Sequence, residues 1–351
     1  MKNSIILICF LLTGMMLFQS CDGEPVQVDN GEGFLSSTNL ENATTYAINE
    51  TAGNALIIWH NDEIVAEEYE GITGQTTMPV LEVTKSFTGM ITALGVQDAL
   101  LDYDERVGRI IPDWEPFSER GSITVRELLN MTSGLQTVPE GVHQNQTPQI
   151  WLGTQLEFTR GTTFSYGPTP YFILSWIFLD QFQVNPIIYM NENVFEPLGL
   201  NGWSWELQLA GRYPNLAFGL NMMPLELLQV GKMLINNGTL DGVEIFSPSQ
   251  INQMLVPAEA APGFSNSFWL NSEFDENSSF ANRLPESIFP QTPSGRLISE
   301  DAPSDLYMMA GNFGQRLYII PSLDIVIVRY GSVESVNFSD REFFRQLLAE
   351  S

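Results

Sequence analysis

The strongest constraint on this fold is the presence of a hairpin at each end of the chain. Ala55 to His60 and Glu63 to Tyr69 are β-rich runs joined by Asn61-Asp62, residues that tolerate the left-handed backbone of a two-residue turn. Near the other end, Leu317 to Ile320 and Ile325 to Arg329 flank Pro321-Ser322-Leu323-Asp324, a second turn. Between the hairpins the pattern is helical. Val83, Phe87, Met90, Ile91 and Leu94 follow Glu82 at helical spacing and predict a helix that buries one face. Thr124-Val125-Arg126-Glu127 is a capping box whose helix is expected to stop at Gly134. Tyr171 to Phe182 predicts an aromatic-rich helix buried nearly all round. Asn185-Pro186 and Ser247-Pro248 each set a capping side chain before a proline. Ser339 caps a last helix in which Phe343, Phe344, Leu347 and Leu348 face the core. Strands at both ends with helices between predict an α+β fold, an α/β sandwich. Its antiparallel sheet is built from both termini, flanked by helices, with a helical region inserted.

The first residues lie outside that fold. Lys2 precedes an apolar run from Ile5 to Phe18, which ends at Phe18-Gln19-Ser20-Cys21. The run is short for a membrane span and has a cleavage-like end, so residues 1–20 read as a signal peptide. A cysteine directly after the small Ser20 resembles a bacterial lipobox and predicts lipidation at Cys21. The chain would then be a lipoprotein anchored to a membrane of the bacterial cell envelope, periplasmic or surface-exposed. The competing reading is an ordinary secretory leader with a chance cysteine. Residues 21–50, with Asp22-Gly23-Glu24-Pro25 and Gly31-Glu32-Gly33, read as a polar tether, and 51–351 as one domain. The only other cysteine, Cys9, is in the leader, so the mature chain has no internal disulfide and no cysteine-based metal site.

Charge narrows the partners. Lys and Arg number 15 against 42 Asp and Glu, a formal net charge of −27. Phosphate backbones need clustered basic side chains, so nucleic acid is excluded as a partner. The acidic residues are spread without long runs and read as a solvated surface. His60 and His143, the only histidines, lack metal-ligand spacing. No metal and no cofactor is expected.

The chemistry concentrates in Val80-Leu81-Glu82-Val83-Thr84-Lys85-Ser86-Phe87. Taken alone, Glu82-x-x-Lys85 is an ordinary i,i+3 ion pair. Its context changes that reading. Lysine is scarce, with only Lys2 and Lys232 besides Lys85. Downstream come Leu101-Asp102-Tyr103-Asp104-Glu105-Arg106-Val107, Ile123-Thr124-Val125-Arg126-Glu127-Leu128-Leu129 and Met131-Thr132-Ser133-Gly134-Leu135. Then follow Phe164-Ser165-Tyr166-Gly167-Pro168, Phe195-Glu196-Pro197-Leu198-Gly199-Leu200 and Ala310-Gly311-Asn312-Phe313-Gly314-Gln315-Arg316. In order and spacing, from about Ala55 onward, these segments resemble the β-lactamase-related serine hydrolases. That family includes class C β-lactamases, penicillin-binding-protein-like carboxypeptidases, esterases and 6-aminohexanoate-oligomer hydrolases.

The resemblance implies site residues. In the family a serine three residues before a lysine attacks a carbonyl, while that lysine and a tyrosine manage the proton. Lys85 and Tyr166 match the latter two, and Glu82 stands at the nucleophile position. The oxyanion hole corresponds to the backbone N–H groups of Glu82 and Asn312. Substrate-binding positions correspond to Pro168, Met309 and Gly311, with Arg316 as a substitute cation if it reaches inward. Met309 stands where the family has Lys or His, so substrates with a carboxylate are disfavoured. Ser86 reads as structural.

Glu82 is the departure that matters. A carboxylate is a poor nucleophile toward esters and amides, and at this place it opposes the negative charge of an oxyanion. The expected function is a family member impaired or inactive in acyl-serine chemistry, with a cleft for a small ester, amide or peptide-like ligand. The alternative is an active hydrolase. There Glu82 acts as general base on water, or is a substitution in an otherwise active serine hydrolase.

Overall fold

The computed structural model describes residues 35–137, 148–208, 212–291 and 293–349. The expected leader (residues 1–20), Cys21 and His143 lie outside the described residues. The main sheet contains β1 (Gly53–His60), β2 (Glu63–Tyr69), β3 (Phe264–Ser265), β4 (Phe268–Leu270), β5 (Tyr307–Gly311), β6 (Gln315–Ile320) and β7 (Ile325–Gly331). Its order is β3-β4-β5-β6-β7-β1-β2, with every neighbouring pair antiparallel. The two terminal hairpins therefore meet side by side within one sheet, where β1 pairs with β7 from Gly53↔Gly331 to His60↔Ile325. Asn61 and Asp62 both take positive φ at the first turn, as does Asp324 at the second.

The helices that frame the sheet and the site are α1 (Ser37–Thr45), α2 (Val83–Gln97), α3 (Val125–Leu129), α4 (Thr169–Trp176), α5 (Pro186–Met190), α6 (Pro224–Ile235), α7 (Pro248–Met254) and α8 (Asp340–Leu347). On one side of the sheet α8 sets Phe343 and Phe344 against Tyr318, with centroids 5.9 and 5.0 Å away, and α1 packs on α8. On the other side α6 lies across β6 and β7, so close that a Cβ on Gly231 would stand 2.4 Å from Val326. The sheet is thus covered on both faces, and β7 is buried along its whole length.

The caps follow local chemistry. Thr124 and Glu127 form the reciprocal capping box, Asn185 accepts from Ile187 and Ile188 N–H, and Ser247 and Ser339 cap α7 and α8.

Three expectations change. The helix after Thr124 ends at Leu129 rather than near Gly134, because Met131 turns left-handed (φ 53°). Helix α2 buries every residue from Val83 to Gly95 rather than one face, since the sheet, α5 and α7 enclose it. The tether assigned to 21–50 is already structured from Ser37. Ser36 caps α1, and Ala43, Tyr46, Ala47 and Ile48 enter the core, with Tyr46 against Phe338 at 5.8 Å.

Candidate active site

The site forms where α2 begins. Leu81, just before it, has φ 51°, a left-handed conformation that a branched residue holds only when its surroundings impose it. Here Val80 N–H is bonded to Leu220 O (3.0 Å), and Leu220 N–H donates to Thr84 Oγ1 (3.1 Å). The turn of chain enters the helix at Glu82, whose backbone is already helical at φ −67°, ψ −10°. Strand β5 arrives beside it. A Cβ on Gly311 would lie 2.8 Å from Val80 O and 3.0 Å from Glu82 N, so only glycine lets the two backbones approach this closely.

That approach carries Asn312 N–H to the side chain of Glu82. The amide donates to Glu82 Oε2 at 2.7 Å. Glu82 is 4% exposed and stands at the positive end of the α2 dipole, which favours a carboxylate there. Lys85, one turn later, is 2% exposed. Its Nζ lies 5.0 Å from the centroid of the Tyr166 ring and 5.8 Å from that of Tyr171, within cation–π range of both. Tyr166 is half-buried and stacks on Trp269 at 5.8 Å. Tyr171 shares a 2.7 Å hydrogen bond with Ser267 Oγ. Burial pushes its phenol well above the ordinary value, against a smaller opposing effect of that bond, so the hydroxyl stays protonated.

Glu82, Lys85, Tyr166, Gly311 and Asn312 are therefore neighbours. The remaining sequence-predicted residues lie elsewhere or are enclosed. Met309 is fully buried; two residues before Gly311 in a strand, it shares the face turned toward α2. Pro168 is buried at the start of α4 and accepts from Tyr171 N–H at 3.0 Å. Arg316 is no substitute cation for a substrate carboxylate. Its Nε and Nη2 bond Asp340, Nη1 bonds the carbonyls of Gly311 and Gln315, and Nη2 also bonds Ile288 O. All five N–H donors of a guanidinium are thereby used. Ser86 Oγ is turned away from the site and donates to Ser267 O at 2.5 Å.

The Asn266-Ser267 turn was not singled out from sequence, yet it supports both Tyr171 and Ser86. Consecutive Asn and Ser between the aromatic pairs at Phe264 and Phe268-Trp269 were its available signal.

The Beta-lactamase family model matches residues 43–348. The chain belongs to this family of β-lactamase-related serine hydrolases. It is 26% identical over 315 residues to an uncharacterised protein of Alkalihalophilus pseudofirmus, covering 82% of this chain and 88% of that one. Among solved structures it resembles a proposed β-lactamase of Bacteroides dorei (TM-score 0.67, 20% identity, 89% and 97% of the two chains). It also resembles a proposed 6-aminohexanoate-dimer hydrolase of Bacillus anthracis (0.64, 16%, 86% and 79%) and a penicillin-binding protein of Bacillus halodurans (0.59, 13%, 84% and 96%). At these identities the structural likeness speaks for the fold.

Proposed function

We propose that this chain is a family member impaired in acyl-serine chemistry that retains a cleft for a small neutral ester, amide or peptide-like ligand. The observation that carries the reading is the 2.7 Å bond from Asn312 N–H to Glu82 Oε2. In an acyl-transfer site that amide would stabilise the developing oxyanion, and donors work at about 2.7–3.1 Å from it. Here a carboxylate oxygen already holds that distance. A ligand carbonyl competing for the amide must displace a charged acceptor, and negative charge developing beside Glu82 would be repelled by it. With no hydroxyl at position 82, Lys85 has no nucleophile there to deprotonate. Met309, neutral where the family carries a cation, favours ligands without a carboxylate.

The test is labelling with a fluorophosphonate and initial hydrolysis of a p-nitrophenyl ester, with the natural chain beside Glu82→Ser. The natural chain should be silent, and Glu82→Ser should label at position 82 and hydrolyse neutral esters better than β-lactams. Covalent labelling of the natural chain, or ester turnover that Glu82→Gln abolishes, would establish the active-hydrolase alternative instead. We further propose that the chain is anchored in the bacterial cell envelope through Cys21. Mass spectrometry of the mature N-terminus should find an acylated cysteine there, and an unmodified N-terminus at another residue would refute the anchor.

A further inference from the structure

We propose that Arg316 and Arg329 are positioning residues that aim the Asn312 amide into the site. The inference rests on reading that amide as the oxyanion donor. Gly311 O and Asn312 N–H belong to one trans peptide, so they point in opposite directions. On one side Asn312 N–H meets Glu82 Oε2. On the other, Arg316 Nη1 donates to Gly311 O at 2.7 Å. A charge-assisted bond to the carbonyl fixes the peptide plane and polarises its N–H toward whatever acceptor occupies the site.

The rest of the turn is held the same way. Phe313 (φ 56°) and Gly314 (φ 71°) are both left-handed, and their carbonyls accept from Arg329 Nη1 at 3.5 and 2.9 Å. Arg316 and Arg329 face each other directly across β6 and β7. Like charges opposite each other in a sheet are destabilising, and both side chains are buried. Asp340, from α8, is bonded to Arg316 alone of the two. Arg329 is held by the carbonyls of Ala47 and Thr51 and by the Phe338 ring, 3.8 Å from its guanidinium. Packing alone does not call for two buried guanidiniums, since apolar residues of similar volume are commonly as stable. What apolar residues cannot supply is a grip on four of the five carbonyls from Gly311 to Gln315, all but that of Asn312, that keeps the Asn312 N–H turned toward α2.

The experiment uses Arg316→Lys and Arg329→Lys, which keep the charge and lose the fork. In the natural chain, labelled with nitrogen-15, the Asn312 amide proton should move upfield and exchange faster in each variant, while the β1–β7 ladder amides keep their shifts. Loosening for purely structural reasons would move the ladder together with Asn312. In the Glu82→Ser background the same variants should lower kcat for a neutral ester about ten- to a hundredfold with KM unchanged. An unmoved Asn312 amide in a folded variant, or an unchanged kcat, would overturn the assignment. If Glu82→Ser is itself silent, the proposed function fails and the amide readout still decides this one. Should the lysine variants not fold, Tyr318→Phe removes only the hydroxyl bonded to Asp340 Oδ1. It should shift the Asn312 amide in the same direction by less, and no shift would count against the proposal.

Discussion

Replacing Asp340 with alanine should cost about 3–5 kcal/mol, the loss expected when one partner of a buried ion pair is removed and the other charge stays. Asp340 Oδ1 accepts from Arg316 Nε at 2.7 Å and from Tyr318 Oη at 2.5 Å, and Oδ2 accepts from Arg316 Nη2 at 3.1 Å. Arg316 and Asp340 are 1% and 4% exposed, so water does not replace the lost acceptor. Burial disfavours the Arg316 charge, and Asp340 more than restores it, leaving its pKa raised on balance. Alanine removes that compensation while Arg329 remains beside the site. Against a usual domain stability of about 5–15 kcal/mol, this is a large fraction. Urea unfolding followed by tryptophan fluorescence measures it as a shift in midpoint at constant slope. Asp340→Asn should lose less, because an amide oxygen still accepts one bond. The apolar double replacement Arg316→Met with Asp340→Leu should not recover the loss, although it does for many buried pairs, because Gly311 O, Gln315 O and Ile288 O would each lose a donor. A cost below about 1 kcal/mol for Asp340→Ala would mean that the pair is solvated in solution, and the reasoning would fail.

Gly89→Ala should destabilise by about 1–2 kcal/mol net, read in the same urea titration. The new Cβ would stand 2.2 Å from Asn266 O, in a turn anchored by Asn266 N–H on Asn130 Oδ1 at 2.6 Å; overpacking of about 1–3 kcal/mol or more outweighs the helix gain of about 1 kcal/mol, and an unchanged midpoint would refute this. For pH, a hydrogen bond from Arg345 holds the Glu342 carboxyl below its ordinary value, with burial opposing weakly. A depressed folded pKa gives stability that is present above the ordinary carboxylate value of 4.5 and is lost as pH falls through the lowered one. Because Arg345 is exposed and Glu342 only half-buried, Glu342→Gln should change stability by less than about 1 kcal/mol and flatten its pH slope only in that acid window. An unchanged slope would dismiss the pair.

What could be read from the sequence was whatever short-range chemistry decides. Thr124 and Glu127, Asn185, Ser247 and Ser339 cap helices because their side chains reach N–H groups two or three residues on, a relation written in adjacent letters. A common antiparallel sheet for the two hairpins followed from their strong strand patterns, whereas the pairing of β1 with β7 that joins them is decided by the fold. Strands β3 and β4 were hidden because two or three residues carry no period. Helix α1 was hidden because its composition is polar; Tyr46, directly after it, finds its partner, Phe338, only through the fold. The two buried arginines left a trace that was available. The turn at Pro321–Asp324 sets Arg316 opposite Arg329, and two cations facing each other inside an apolar hairpin require nearby acceptors.

The surroundings of Glu82 also commit the other hydroxyls of α2 to partners away from position 82. Ser86 is one turn along α2 and next to Lys85 in sequence, but its hydroxyl is committed to Ser267 O on the hairpin side of the helix, and it is 1% exposed. Thr84 accepts from Leu220 N–H, and Thr88 donates to Leu216 O, so both face the segment 216–220 that pins the helix start. Only position 82 combines a left-handed predecessor, the first turn of α2, and the close passage of Gly311 that delivers the Asn312 amide. Geometry of that kind comes from backbone contacts and not from the side chain at 82. A change of that side chain alters the chemistry while the frame of Val80, Leu81, Leu220 and Gly311 stays in place, which is why a single substitution is a sufficient test of what the site was built to do.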